Sequence, residues 1–323
     1  MANDVKDTIQ GTEQEQKRHF ELVELPRRLI KEKPLGTIGG VIVLALFITG
    51  IFADFLAPYG MNEAFIADRL EPPSAQYVLG TDQLGRDMAT RIIYGARTSM
   101  IVGVFGSLIC LITSTLIGMT SGFIGGKYDL IVQRIVDAVM CFPALLILLT
   151  IVAMLGPGLM QVTITIGVVF GISGSRVIRS AAISTKENTY VDAARAIGCS
   201  TTRTLIRHIL PNILPAIIIL TTTRMGGVIL AEAALSFLGY GIPPPTPSWG
   251  GMLSGAGRQY MYTAPLLAIW PGLILSLVVY GINMLGDALR DLLDPRLRGG
   301  IGRFGKAKRK SLRLKNSQEL DKC

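Results

Sequence analysis

Six stretches of the chain run for about twenty residues with almost no charge: roughly Leu35–Phe55, Met100–Ile124, Ala138–Leu155, Met160–Ile178, Ile213–Phe237 and Leu266–Leu285. At about 1.5 Å of rise per residue, a helix of that length crosses a hydrocarbon core of about 30 Å. A closed β-barrel would need short segments alternating apolar and polar residues, and these runs are continuous. Their interiors are rich in Gly, Ala, Ser and Thr, which lets helix backbones approach closely in lipid. The pattern predicts an all-α membrane protein of six transmembrane helices.

Polar segments divide the spans. Residues 1–34 form a polar tail and 299–323 a second, basic one holding the run Lys306–Lys310. In the first tail, Leu22, Leu25 and Leu29 have helical spacing that suits a helix lying at the lipid surface, although Pro26 would kink it; a tail with scattered apolar residues is the other reading. Two loops on the same side are long. Residues 56–99 contain Gly80, Gly85 and Gly95 as punctuation, and Asp87 is placed to cap a short helix carrying Met88, Ile92 and Ile93 on one face. Residues 239–263 contain Pro243–Pro245 and Pro247, which predict extended backbone, and then Trp249, a candidate anchor at the membrane interface.

The segment Tyr190–Pro211, YVDAARAIGCSTTRTLIRHILP, is polar and lies between two apolar spans. Thr189 and Asp192 are spaced as a variant capping box. Ala193, Ala194 and Ala196 favour helix and leave a face of little bulk, and Gly198 suits a left-handed stop. Ser200 or Thr201 caps a second helix that runs through Leu205, Ile206 and Ile209 to a stop at Pro211. Arg195, Arg203 and Arg207 supply polar handles. Two readings stand: a compact docking hairpin for a groove in a partner, or a plain helical connection.

Charge orients the bundle. The 323 residues are 50% hydrophobic and 17% charged, with a formal net charge of +9. Of 32 Lys and Arg, 26 fall on one set of alternate segments and five on the other, the last being Arg224 inside the fifth span. The positive-inside bias makes the richer side cytoplasmic, with both termini inside, so the excess charge reports topology and contact with lipid rather than nucleic acid. Cys110 and Cys141 lie in spans, and Cys199 and Cys323 on the cytoplasmic side, so no disulfide is expected. The long polar segment before the first span argues against a cleaved leader.

The chain offers little for catalysis. Its two histidines, His19 and His208, are both on the predicted cytoplasmic side, and there is no HExxH pattern or G-x-S-x-G elbow. No metal site is expected. Around Gly125-Gly126-Lys127, Ser121 stands where a phosphate-binding loop needs Gly, and Tyr128 where it needs Ser or Thr. Any ATP that is used is therefore bound by another polypeptide.

Asp192-Ala193-Ala194-x3-Gly198, followed by Leu210-Pro211, resembles the EAA motif of permeases of binding-protein-dependent ABC importers, with Asp for Glu and His208 for the usual Ile. Four further segments are similar to the dipeptide/oligopeptide/nickel permease family, and to the second permease of its pair: LGTDQLGRDMATRIIYGARTSM from Leu79, FPALL from Phe142, LAEAALSFLGYGIPPPTPSWGGML from Leu230 and LGDALRDLLDPRLR from Leu285. The resemblance implies a type I ABC importer bundle with a permease core over 100–298 and a cytoplasmic coupling loop over 179–211. It assigns coupling to the ATPase to Tyr190, Asp192, Ala193, Ala194, Gly198, Arg203, Leu210 and Pro211. It implies a bacterial inner-membrane protein paired with a second homologous permease, two cytoplasmic ATPase subunits that bind ATP and Mg, and an extracytoplasmic binding protein. No cofactor is expected on this chain. Peptides are the expected cargo; nickel, glutathione or another small solute is the alternative.

Charges inside spans cost a few kcal/mol unless paired or hydrated, so they are the other candidates. Glu232 and Arg224, eight residues apart on one helical face, are candidates for the translocation path, against the alternative that Glu232 only bonds the neighbouring loop. Arg134 with Asp137, and the group from Asp287 to Asp294, are expected to fix helix ends at the inner interface. A self-sufficient secondary transporter would show paired broken helices or internal repeats and deep ion sites; intramembrane acids here are few.

Overall fold

The computed structural model describes residues 27–293. Most of the first tail, the Lys306–Lys310 run and the closing Asp294–Arg298 lie outside them. The described residues are mostly helical, and no strand occurs among them. In order the helices are α1 (Pro34–Ile51), α2 (Ala53–Leu56), α3 (Met88–Ile124), α4 (Gly126–Met140), α5 (Ala144–Leu155), α6 (Leu159–Lys186), α7 (Thr189–Ala196), α8 (Thr201–Thr204), α9 (Leu210–Phe237), α10 (Trp249–Met252) and α11 (Leu266–Leu293). A π turn, Leu205–Ile209, joins α8 to α9, so that 201–237 is one long helix.

Five helices are long and apolar enough to cross a membrane, with mean hydropathy from 1.4 to 2.3, and the pair α4–α5 supplies a sixth span if the two are taken together. Many apolar side chains on them are exposed, among them Val41, Leu44, Phe105, Leu116, Ile164, Leu214, Leu273 and Leu277. In water such a surface would drive association; in a bilayer it is the lipid face.

Four expectations are corrected. The third span is not a continuous helix over Ala138–Leu155, because it breaks at Cys141–Pro143 and turns through 88°. Pro143 has no N–H to bond back into the helix and steers Phe142 out of helical backbone. Asp87 does cap a helix, its Oδ2 accepting from the Thr90 amide and hydroxyl at 2.7 Å each. That helix is not short, however: it is the start of α3, 37 residues long. Gly95 lies within α3 instead of punctuating a loop, and it is small because a Cβ there would sit 2.7 Å from the Trp249 ring. Trp249 is no interface anchor; it is 1% exposed and its Nε1 donates to the Ile92 carbonyl at 3.1 Å.

Contacts divide the chain into two units. In the larger, 38–286, α3 and α6 pack most closely. A Cβ on Gly118 would lie 2.3 Å from the Ser175 carbonyl, and one on Gly167 would lie 2.8 Å from the Gly106 carbonyl. Helices approach this closely only where small residues line both. At one end of the bundle Met88, Ile92, Ile229, Trp249, Met252 and Leu275 pack together. At the other, Met119, Phe123, Ile178, Ala182, Val191, Leu205 and Ile209 do. Beyond the end of α1, Asp54 accepts from Tyr94 at 2.9 Å and from Arg97 Nη2 at 2.7 Å, and the Arg97 guanidinium, then the Tyr94 hydroxyl, hold its carboxyl below the usual range. In the smaller unit, described over 27–37 and 287–293, Lys33 Nζ meets Asp291 Oδ2 at 2.6 Å. That pair ties Asp291, one member of the Asp287–Asp294 group, to the residue just before α1.

Candidate functional site

The polar hairpin is two helices at the end of the bundle marked by Phe123 and Ala182. Its first turn is not closed by the expected capping box. Asn188 is the N-cap, with extended backbone and no side-chain cap bond; its Nδ2 donates instead to the Thr185 carbonyl at 2.8 Å. Thr189 is thereby already inside the helix, where its hydroxyl cannot reach the free amides. The stop at Gly198 forms as expected. Gly198 has φ +83, its amide donates to the Arg195 carbonyl at 2.9 Å, and the Cys199 amide donates to the Ala194 carbonyl at 3.0 Å. These two bonds are the Schellman closure of a helix end. Ser200 caps the second helix, its Oγ accepting from the Arg203 amide at 3.4 Å.

The second helix does not stop at Pro211. It passes through the π turn, where the Leu210 amide donates to the Leu205 carbonyl, and continues into α9 with Pro211 in its first turn. The wider turn accommodates a residue without an N–H, and Asn212 Nδ2 donates to the His208 carbonyl at 2.7 Å. The second helix of the hairpin and the fifth span are therefore one continuous helical body.

Burial sorts the residues assigned to coupling. Val191, Leu205 and Ile209 face inward, against the ends of α3 and α6, and Ala194 is buried as well. Tyr190, Asp192, Ala193, Gly198, Arg203 and Pro211 are exposed, and Leu210 is half-buried. Ala194, at 4% exposed, is thus not on the hairpin's outer face. Sequence reasoning missed Ile197, which stands 82% exposed at the turn. Its signal was an apolar residue just before a helix-stopping Gly in a polar segment. The Arg195 guanidinium lies 4.9 Å from the Phe123 ring centroid, a cation–π contact that ties the hairpin to α3.

Two ion pairs brace the same end. Arg179 Nε donates to Asp129 Oδ1 at 2.7 Å, and Arg176 pairs with Asp137, joining α4 to α6. Arg134 lies 3.8 Å from Asp137, so that acid does fix a helix end.

Glu232 and Arg224 are not brought together: no ion pair joins them among the described residues. Arg224 lies over the Phe170 ring, 5.8 Å from its centroid. Glu232 is fully buried and accepts from Ser236 Oγ at 2.6 Å, and Ser236 Oγ in turn accepts from the Ile242 amide at 3.2 Å. The acid thus tethers the loop after α9, as in the second reading of it, and its other oxygen is buried without a partner. Glu232→Gln keeps an acceptor for Ser236, so uptake should stay within about twofold of wild type. Glu232→Leu leaves Ser236 without its acceptor and should lower the melting temperature of the purified protein, an effect worth about 1–3 kcal/mol. A large loss of uptake in the Gln variant, with the melting temperature held, would return Glu232 to the substrate path.

Residues 114–299, more than half of the chain, match the family described as binding-protein-dependent transport system inner membrane component. The chain belongs to that family. Residues 27–73 of the permease also match the N-terminal transmembrane domain of oligopeptide transport permease C. The permease is 41% identical over 269 residues to the dipeptide transport system permease protein DppC of Alkalihalophilus pseudofirmus, covering 83% of this chain and 88% of that one. It is 38% identical to the glutathione transport system permease protein GsiD of Pectobacterium atrosepticum, with 85% and 91% covered. It is 39% identical to the di/tripeptide permease DppC of Pseudomonas aeruginosa, with 81% and 89% covered. Its fold is similar to that in inward-facing MetNI methionine ABC transporter, with a TM-score of 0.53 at 17% identity, over 64% of this chain and 98% of that one. The permease is a multi-pass inner-membrane subunit of an ABC importer.

Proposed function

We propose that this permease forms half of a translocation pathway for short peptides, beside a second, homologous permease, and that its hairpin couples the pathway to two cytoplasmic ATPase subunits. An extracytoplasmic binding protein delivers the peptide. The chain carries no catalytic group and no cofactor of its own; ATP and Mg belong to the ATPases. The observation that carries this reading is the continuity of the hairpin's second helix with the fifth span. A groove that moves the exposed face of α7 moves α9 with it, because the closed turn at Gly198 fixes α7 on α8, and α8 runs into α9 without a break. Tyr190, Asp192, Ala193, Ile197 and Arg203 form the face offered to that groove. Peptide cargo rests on the relatives named for dipeptides, di- and tripeptides and glutathione, the last itself a tripeptide.

Affinity purification of the permease should bring down a second permease and two ATPase subunits. A strain lacking the permease should lose uptake of labelled di- and tripeptides. Ile197→Asp places a charge where an apolar side chain enters the groove. It should cut ATPase co-purification and uptake by about 10-fold or more, as expected at a contact hot spot. Recovery of the full complex with Ile197→Asp would remove that residue from the interface, and undiminished peptide uptake in the deletion strain would remove the peptide cargo.

A further inference from the structure

At the end of the bundle opposite the hairpin there is a cavity of about 510 Å³, walled by the Asp82–Arg91 turn and by the loop that follows α9. Its size falls within the range of small-ligand sites, roughly 300–1,000 Å³. Most of its wall is apolar and includes Met88, Ile242 and Met252.

The turn holds two acids and two arginines, but they do not pair one to one. Asp82 folds the turn, its Oδ1 accepting from the amides of Leu84 at 2.8 Å and Arg86 at 3.1 Å. Its Oδ2 takes Arg86 Nε at 2.7 Å, while Arg91 Nε stays 3.6 Å away, beyond hydrogen-bond reach. Asp87, the other acid of the turn, is committed to the Thr90 amide and hydroxyl. Two guanidinium groups therefore share one carboxylate. Arg91 lines the cavity with its side chain only 9% exposed, and its Nη1 is buried with no hydrogen-bond partner. Gln83, also in the wall, has its Oε1 buried without a partner. A buried guanidinium with an open donor is costly to maintain, and a carboxylate is the partner that its geometry matches.

We propose that this cavity accepts the C-terminal carboxylate of a short peptide, with Arg91 donating to it and Gln83 Oε1 accepting from a peptide N–H. The inference rests on the peptide reading above and deepens it. One open guanidinium donor in apolar walls suits a monoanionic carboxylate on a compact solute better than a phosphate, which needs several donors.

The test uses the purified complex of both permeases and both ATPases, without the binding protein, titrated with a labelled alanine dipeptide and with its C-terminal amide. The acid should bind about 10–100-fold tighter than the amide, the range of a charge-assisted hydrogen bond. Arg91→Gln should bring the acid down to the level of the amide, and Gln83→Leu should weaken both by a smaller factor. Equal binding of acid and amide to the wild-type complex overturns the proposal and needs no variant to fold. If the two bind alike and Arg91→Gln instead weakens docking of the binding protein, the arginine serves a partner's acidic side chain and the proposal is again overturned. Whole-cell uptake separates this site from the peptide reading. A wild-type system that imports no peptide contradicts the cargo; one that imports peptide while its complex binds acid and amide alike contradicts only the site.

Discussion

Gly198→Val is expected to abolish transport while the protein still inserts and assembles. Gly198 sits at φ +83, where a side chain with a Cβ is disfavoured by about 1–2 kcal/mol and a β-branched one most of all. No atom lies within 4 Å of the position a Cβ would take, so the effect is one of backbone and not of crowding. Forcing the residue out of the left-handed region breaks the two amide bonds to the Arg195 and Ala194 carbonyls that close α7. The angle between the hairpin helices is then lost, and with it the rigid path from the ATPase to α9. In the reconstituted complex, ATP hydrolysis should continue without uptake. Gly198→Asn should keep much of the transport, because Asn tolerates this backbone region. Wild-type transport by the Val variant would contradict the coupling role.

Gly118→Ala should be more damaging still to the fold. A single Cβ at that position would lie 2.3 Å from the Ser175 carbonyl, 2.8 Å from the Arg179 amide and 2.9 Å from Ile178 Cβ. The first two are backbone atoms of α6, so no side chain can rotate away and the helices must separate. Overpacking costs about 1–3 kcal/mol when side chains can shift, and more is expected here. The displacement also moves Arg179, whose guanidinium holds Asp129 of α4. The variant should melt well below wild type in detergent and yield little assembled complex. Gly227→Ala is the control: its Cβ would meet only Phe170, at an ordinary 3.6 Å, and should leave the melting temperature nearly unchanged. Equal melting of Gly118→Ala and wild type would show that α3 and α6 are not in this close contact.

The signals legible in the chain were those that act within a turn or two. Asp87 and Ser200 cap their helices as read, because a cap needs only an amide three residues on. Gly198 stops α7 as read, because the left-handed region is a property of one residue. Failures came where a neighbour outside the segment decided. Thr189 looked like a cap until Asn188 took the position. Pro211 looked like a stop until the π turn before it made room.

Hydropathy and the distribution of Lys and Arg by themselves determined that this is a helical membrane protein with a polar hairpin on its positively charged side. Both follow from composition summed along the chain, and lipid and water read that sum directly. Only the tertiary structure decided which face each residue presents. Ala194 is buried while Ile197 stands exposed; Trp249 fills the gap left by Gly95; Glu232 bonds a loop; Arg91 is left with an open donor beside a cavity. Each of these depends on which backbone from elsewhere in the chain arrives at that point. Asp129 and Arg179, fifty residues apart, illustrate the reason: no local periodicity encodes a partner that only the packing of two helices brings within reach.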